Sequence, residues 1–359
     1  MVKRPLRAAL ALLAVALPAG ADPESRDRIL KHFGGWYSFY PNSRVSVSES
    51  ADLKIPGFEA YRVQRQTDSK RYEEAGIALH DAAREQVFVG RVLHDSVRAA
   101  SGRRFDPLVD SPDIEKHLSD AFGLPASLVV KSPRGDLLEA EVRLRQKTNV
   151  WLALPGYVSS DGASVLIGEF QPLGKGPEDF RRRLLAESPG VRLGAGEPTV
   201  AEFIDFQCDR CRKRAPEVKA FVQERGGSVE IRFFPLVKIH PWAFAAAESA
   251  SALAAISPRL YEAYESALFE RAETMSEGSA RQLAADHAEA AGKTREFSSE
   301  ITSGRARDRV LADLRLGARL GITGTPYFIY DGTLVPGEAG LIEKVVSERS
   351  PAPPKVPAR

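Results

Sequence analysis

Two cysteines, Cys208 and Cys211, are the whole cysteine complement of this 359-residue chain, and only Asp209 and Arg210 separate them. The residues before them, Thr199 to Phe206, are apolar and β-favouring. Those after them place Ala215, Val218, Phe221 and Val222 at helical spacing. The pair therefore falls where a strand turns into a helix. There the unpaired N–H groups and the helix dipole favour a thiolate. A disulfide across so small a loop removes little entropy from the unfolded chain, which argues against a purely structural bridge. A zinc site would need about four ligands, and the nearest histidine, His240, comes alone.

The N-terminus reads as an export signal. Lys3, Arg4 and Arg7 precede an apolar run from Ala8 to Leu17, then Pro18-Ala-Gly-Ala21. A basic start, an apolar core and a small-residue end predict a cleaved signal peptide with cleavage after Ala21. The run is about 10 residues, against roughly 20 needed to cross a bilayer. The mature chain is expected outside the cytoplasm, in the periplasm, where a cysteine pair can persist as a disulfide. The formal charge of +2 gives no field that points to nucleic acid. No dinucleotide fingerprint or phosphate loop occurs, so no bound cofactor or metal is expected.

This length predicts at least two domains. Residues 22–173 lack cysteine and read as an α+β region. A helical pattern at Asp27–Phe33, strands near Arg44–Ser48 and Ala60–Arg65, and a hairpin across Ile77–Gly90 form one unit. A helix at Asp113–Phe122, strands near Ser127–Lys131 and Leu138–Arg145, and a hairpin across Pro155–Gly168 form another, with Asp161-Gly162 as a strong turn signal. The order predicts a tandem repeat, 22–110 and 111–173. Residues 174–198 are expected as a connection, with the arginines of Phe180-Arg-Arg-Arg-Leu-Leu185 on a solvated helix face. A second domain spans 199–348: strand, cysteine-bearing helix, a strand at Val229–Phe234, helices from Trp242 to Leu320, a hairpin through Asp331-Gly332, and a helix at Leu341–Glu348. The Pro-rich segment 349–359 is expected to be disordered.

A thiol exchanger needs one accessible thiolate and one resolving thiol. Cys208, opening the helix, is the expected nucleophile; Cys211, one turn inside, resolves. Arg210, Arg212 and Lys213 bring positive charge, with Arg210 set between the sulfurs. Glu202 interrupts an apolar strand, where an acid is costly unless it does something; accepting a proton from Cys211 is one such role. Asp205 has a weaker claim. His240-Pro241-Trp242 reads as a structural turn before a helix.

Three segments in order carry a resemblance. Ala201-Glu-Phe-Ile-Asp-Phe-Gln-Cys208 with Cys211, Phe234-Pro-Leu-Val-Lys-Ile-His-Pro-Trp-Ala-Phe-Ala-Ala-Ala247, and Gly321-Ile-Thr-Gly-Thr-Pro-Tyr-Phe328 resemble the DsbA-like branch of the thioredoxin superfamily. The resemblance implies an α/β thioredoxin fold with a helical insertion and a thiol:disulfide oxidoreductase acting on client proteins. It implies a cis Thr325–Pro326 bond facing the disulfide, a substrate-pairing backbone at Thr325 and Pro326, and a buried acid at Glu202. A membrane redox partner would recycle the pair. The family's oxidases usually carry Pro and His or Tyr between the cysteines, where this chain has Asp209 and Arg210. Tyr157-Val-Ser-Ser-Asp-Gly-Ala-Ser-Val-Leu-Ile-Gly168 weakly resembles the N-terminal domain of DsbC/DsbG isomerases, which implies a homodimer or an internal pseudo-dimer. A dedicated thiol reductant for cytochrome assembly and a non-catalytic chaperone are the alternative functions.

Overall fold

The computed structural model describes residues 23–36, 43–50, 53–67, 73–94, 104–145 and 151–350. The expected signal peptide and the tail beyond Ser350 lie outside the described residues. Two four-strand units follow one another. The first is α1 (Pro23–Trp36), β1 (Ser43–Glu49), β2 (Glu59–Thr67), β3 (Glu73–Asp81) and β4 (Gln86–His94). The second is α2 (Pro107–Phe122), β5 (Ala126–Arg134), β6 (Leu137–Arg145), β7 (Trp151–Ser159) and β8 (Ser164–Pro172). Their last three strands correspond at one constant offset along the chain, each nine residues long.

All eight strands lie in one antiparallel sheet, ordered β1-β2-β3-β4-β8-β7-β6-β5. The units meet at β4 and β8, where Gly90 faces Gly168 at the centre of the register. A Cβ on Gly90 would stand 2.2 Å from the Ile167 carbonyl, and one on Gly168 2.3 Å from that of Val89. Only glycines let these strands approach so closely. Alternation fixes the two faces of the sheet. On one, Ile29 and Phe33 of α1 pack on Tyr61, Val63, Ala78 and Val87, while Ile114 and Leu118 of α2 pack on Leu128, Ala140 and Val142. The other gathers Leu79, Phe88, Tyr157, Leu166 and Phe170. Helix α2 starts earlier than the expected Asp113, because Asp106 caps it by accepting from the Leu108 N–H and Pro107 takes the first turn.

Residues 174–198 are not a bare connection. They form α3 (Pro177–Glu187) and β9 (Val191–Gly194), which pairs with a strand of the second domain. That domain continues through β10 (Thr199–Ile204), α4 (Asp209–Gln223), β11 (Ser228–Phe233), α5 (Ala243–Ile256), α6 (Pro258–Arg271), α7 (Glu277–Ala290), α8 (Thr294–Thr302), α9 (Arg305–Arg319), β12 (Tyr327–Tyr330), β13 (Thr333–Pro336) and α10 (Leu341–Arg349). Arg349 thus closes a helix instead of opening a tail. The sheet runs β13-β12-β10-β11-β9, with β10 and β11 parallel and the other neighbours antiparallel. Helices α5 to α9 are inserted between β11 and β12. Alanine-rich α5 is buried on nearly every side, because small side chains let α6, α7 and α9 close around it. Among the described residues no helix is long and apolar enough to cross a membrane.

The expectation of a solvated arginine face on α3 fails at Arg181, which is fully buried. Its guanidinium lies 4.2 Å from the Trp36 ring centroid and donates to the Trp36 and Gly332 carbonyls. Arg319 of α9 pairs with Glu169 of β8, and Lys238 donates to the Phe122 carbonyl. The two regions are thereby packed together. Substituting Gly90→Ala forces β4 from β8 and is expected to cost about 1–3 kcal/mol; a lowered urea midpoint for the N-terminal region checks it, and an unchanged midpoint refutes the close approach.

Candidate active site

Strand β10 is buried from Val200 to Ile204, flanked by β11 and β12. At its end the chain turns through Asp205. One Asp205 oxygen accepts from the Gln207 N–H at 2.7 Å. The other accepts from the Leu236 N–H at 2.7 Å and pairs with His240 Nδ1 at 2.7 Å. Cys208 then takes the N-cap position of α4, and its carbonyl accepts from the Arg212 N–H. The free N–H groups of a helix start thus surround one sulfur, while the next turn carries the other inward.

The two thiols, both free, differ sharply. Cys208 is half-buried, and its pKa is lowered to about 5. The hydrogen bond from the Cys211 thiol is the largest cause, helped by the Cys211 and Arg210 backbone N–H groups, against the effect of burial. Cys211 is fully buried, and burial pushes its thiol well above the ordinary value. The Asp205 N–H donates to its sulfur at 3.5 Å.

The Thr325–Pro326 peptide is cis. When protonated, Cys208 Sγ donates to the Thr325 carbonyl at 3.5 Å. Arg210 is exposed and shares a cleft with Thr325 and Pro326. Cys208, Cys211, Arg210, Thr325 and Pro326 are therefore gathered at one mouth. Arg212 turns aside, held by Asp209 at 3.0 Å and by Glu273 at 3.8 Å, so it and Asp209 largely neutralise each other. Lys213 is exposed on α4.

Glu202 lies in β10, opposite Ile231 of β11 and Phe328 of β12. It is fully buried, and neither carboxylate oxygen has a hydrogen-bond partner. Burial first, and then the charge of Glu265, raise its pKa to about 8, against the pull of Lys219 and Arg214. Glu265 itself is bound by Lys219 and accepts from the Tyr261 hydroxyl. Glu202 is thus protonated at neutral pH and can give or take a proton near pH 8.

Sequence reasoning missed His240 as a site residue and underrated Asp205. Asp205 is buried, and its hydrogen bond is the largest cause raising the His240 pKa; burial opposes it, and the negative charges of Asp205, Cys208 and Asp209 add to it. The one available signal was the lone histidine in the His240-Pro241 segment. Nothing local says that it meets a carboxylate 35 positions away. The Lys219–Glu265–Tyr261 group under Glu202 was also missed.

A sheet with this order, a helical insertion after β11, and a C-x-x-C pair at a helix start opposite a cis proline define a thioredoxin fold. Residues 193–343 match the thioredoxin family model. Similar solved structures include the thiol-disulfide exchange protein alpha-DsbA2 from Wolbachia pipientis, 19% identical, covering 48% of this chain and 97% of that one, TM-score 0.40. The catalytic domain of Proteus mirabilis ScsC is 20% identical, with coverage of 47% and 97% and TM-score 0.39. A thioredoxin-like oxidoreductase from Silicibacter pomeroyi is 26% identical, with coverage of 48% and 99% and TM-score 0.38. No curated protein matches.

The Cys208 pKa, lowered from the unfolded thiol's value of about 8.5, stabilises the reduced fold. This contribution is full above the unfolded value, shrinks as pH falls, and is lost below about 5. The thiolate absorbance of the reduced protein is expected to titrate near 5. His240→Gln removes an adjacent positive charge and should raise that midpoint by about one unit; an unmoved midpoint would take His240 out of the site.

Proposed function

We propose that this chain is an exported thiol:disulfide oxidoreductase that exchanges disulfides with client proteins. The observation that carries this reading is the asymmetry of the pair: a thiolate-favouring Cys208 at the mouth and a buried, proton-holding Cys211 behind it. In the oxidising direction a client thiolate attacks Cys208 Sγ of the Cys208–Cys211 disulfide. Cys211 leaves and takes up a proton, and the client is joined to Cys208. A second client thiolate then attacks the client sulfur of this mixed disulfide and expels the Cys208 thiolate. The client gains a disulfide, and two electrons remain on the pair. A low-pKa thiol leaves well and stabilises the reduced form, so the poise favours oxidation of clients.

Glu202 supplies and withdraws the Cys211 proton. The Thr325–Pro326 backbone holds the client chain, with Arg210 beside it. The N-terminal region, two like units sharing one sheet, serves as an internal pseudo-dimer that presents clients. A membrane partner outside the cytoplasm reoxidises the pair.

Equilibration with glutathione buffers tests the direction. A potential on the oxidising side of about −180 mV is expected. A value near about −270 mV would assign a dedicated reductant instead, and a pair that never reduces would be a structural disulfide. The role of Glu202 has its own test. Glu202→Gln should slow the step in which Cys211 gains or loses its proton by about a hundredfold and remove the inflection near pH 8 from its rate profile; a profile that keeps the inflection excludes Glu202 as the proton carrier.

A further inference from the structure

A cleft of about 1130 Å³ lies between the eight-stranded sheet and the redox mouth. Thr325, Pro326, Tyr327 and Arg210 line it from the catalytic side. The sheet contributes the β4–β8 seam, with half-buried Val89 and Ile167 on the cleft face beside Gly90 and Gly168. Phe33 and Trp36 of α1 and Phe122 of α2 line it too, so the cleft occupies the face of the sheet that carries both helices. This trough suits an extended polypeptide: a floor of apolar side chains that opens onto the peptide bond facing Cys208.

Among the described residues its lining charge is mostly positive. Arg62, Arg65, Arg91, Arg210 and Arg319 line it, with Glu338 as the only acid among the described residues. Arg319 is bound to Glu169 and Glu187. Arg91 is exposed, lies 5.3 Å from the Phe122 ring centroid, and makes no ion pair with any described acid. Arg210 makes none either. These two cations stand on opposite walls, one on the sheet and one between the catalytic cysteines. Two unpaired arginines over an apolar floor are too few for a phosphate backbone, but they match an extended polypeptide with one or two carboxylates.

We propose that the cleft selects client segments that are extended and acidic next to their reactive cysteine, so that the N-terminal sheet sets the specificity of the exchange. The inference rests on the disulfide-exchange reading above and names its substrate class. Like charge across the cleft would slow encounter with basic segments, and opposite charge would speed it with acidic ones.

The test uses the full-length oxidised protein and two peptides of equal length with one central cysteine, flanked by glutamates in one and by lysines in the other. Each rate of peptide oxidation is divided by the same protein's rate with dithiothreitol, which is uncharged and too small to span the cleft. The acidic peptide is expected to react about tenfold faster at low salt, with the ratio falling towards one at about 1 M salt, where screening acts within about 3 Å. Arg91→Glu should abolish or invert the ratio, and Arg91→Lys should keep it. A ratio near one in the unaltered protein, or a ratio untouched by Arg91→Glu, overturns this inference while exchange with dithiothreitol leaves the proposed function standing. Absence of exchange with dithiothreitol overturns both. A single-stranded oligonucleotide that blocks acidic-peptide exchange as well as a cysteine-free acidic peptide does would assign the cleft to nucleic acid instead.

Discussion

The arrangement of the two regions hangs on one buried guanidinium. Arg181 has no exposed surface, and burial lowers its pKa to about 10, so it remains charged at neutral pH. Removing a cation from water costs several kcal/mol unless its surroundings replace the lost hydration. Here the Trp36 ring face and the carbonyls of Trp36 and Gly332 do so. These groups come from α1 and the β12–β13 turn, and the guanidinium on α3 reaches both only if the separation of the three elements is fixed. The turn itself is tight: a Cβ on Gly332 would lie 2.2 Å from the Glu178 carbonyl. The end of the N-terminal helix is thus tied to the hairpin that begins at the cis proline, and one wall of the cleft is set against the redox mouth.

That contact shows where sequence reading stops. The strands of the first region are legible because β2 alternates Tyr61, Val63 and Arg65 inward with Arg62, Gln64 and Gln66 outward, a pattern any half-buried strand must carry. The helices of the insertion are legible because Ser257-Pro258, Gly292 and Gly304 punctuate them. Arg181 looks like its neighbours Arg182 and Arg183 in an amphipathic helix, and only Trp36, 145 residues earlier, makes it a core residue. Strand β9 is four residues long, too short for periodicity, and exists because β11 offers an open edge.

The candidate site divides the same way. Cys208, Cys211 and Pro326 are marked by residue type and neighbours alone. Glu202 stands out as an acid in an apolar strand. The Asp205–His240 pair has no such mark, because a histidine before a proline is common at a turn and only the fold brings the β11–α5 loop beneath the cysteine turn. The carboxylate holds that loop twice, through the Leu236 N–H and through His240, so a packing role and an electrostatic role fall on one side chain.

The asymmetry of the two thiols needs no special residue between them. At a helix N-terminus the first sulfur meets unpaired N–H groups, and the second, three residues on, sits one turn inside against β10. Asp209, an acid beside the nucleophile, is drawn to Arg212 at 3.0 Å, which limits its repulsion of the Cys208 thiolate. The proton chemistry then follows burial: a half-buried thiol near 5, a fully buried carboxyl near 8, and a buried thiol above its ordinary value. A proton released on exchange at Cys208 has water at hand, whereas one bound for Cys211 has to come from within the protein. The unpartnered carboxyl of Glu202, whose desolvation holds its pKa within reach of neutral pH, is the group to which the proposed function assigns that proton.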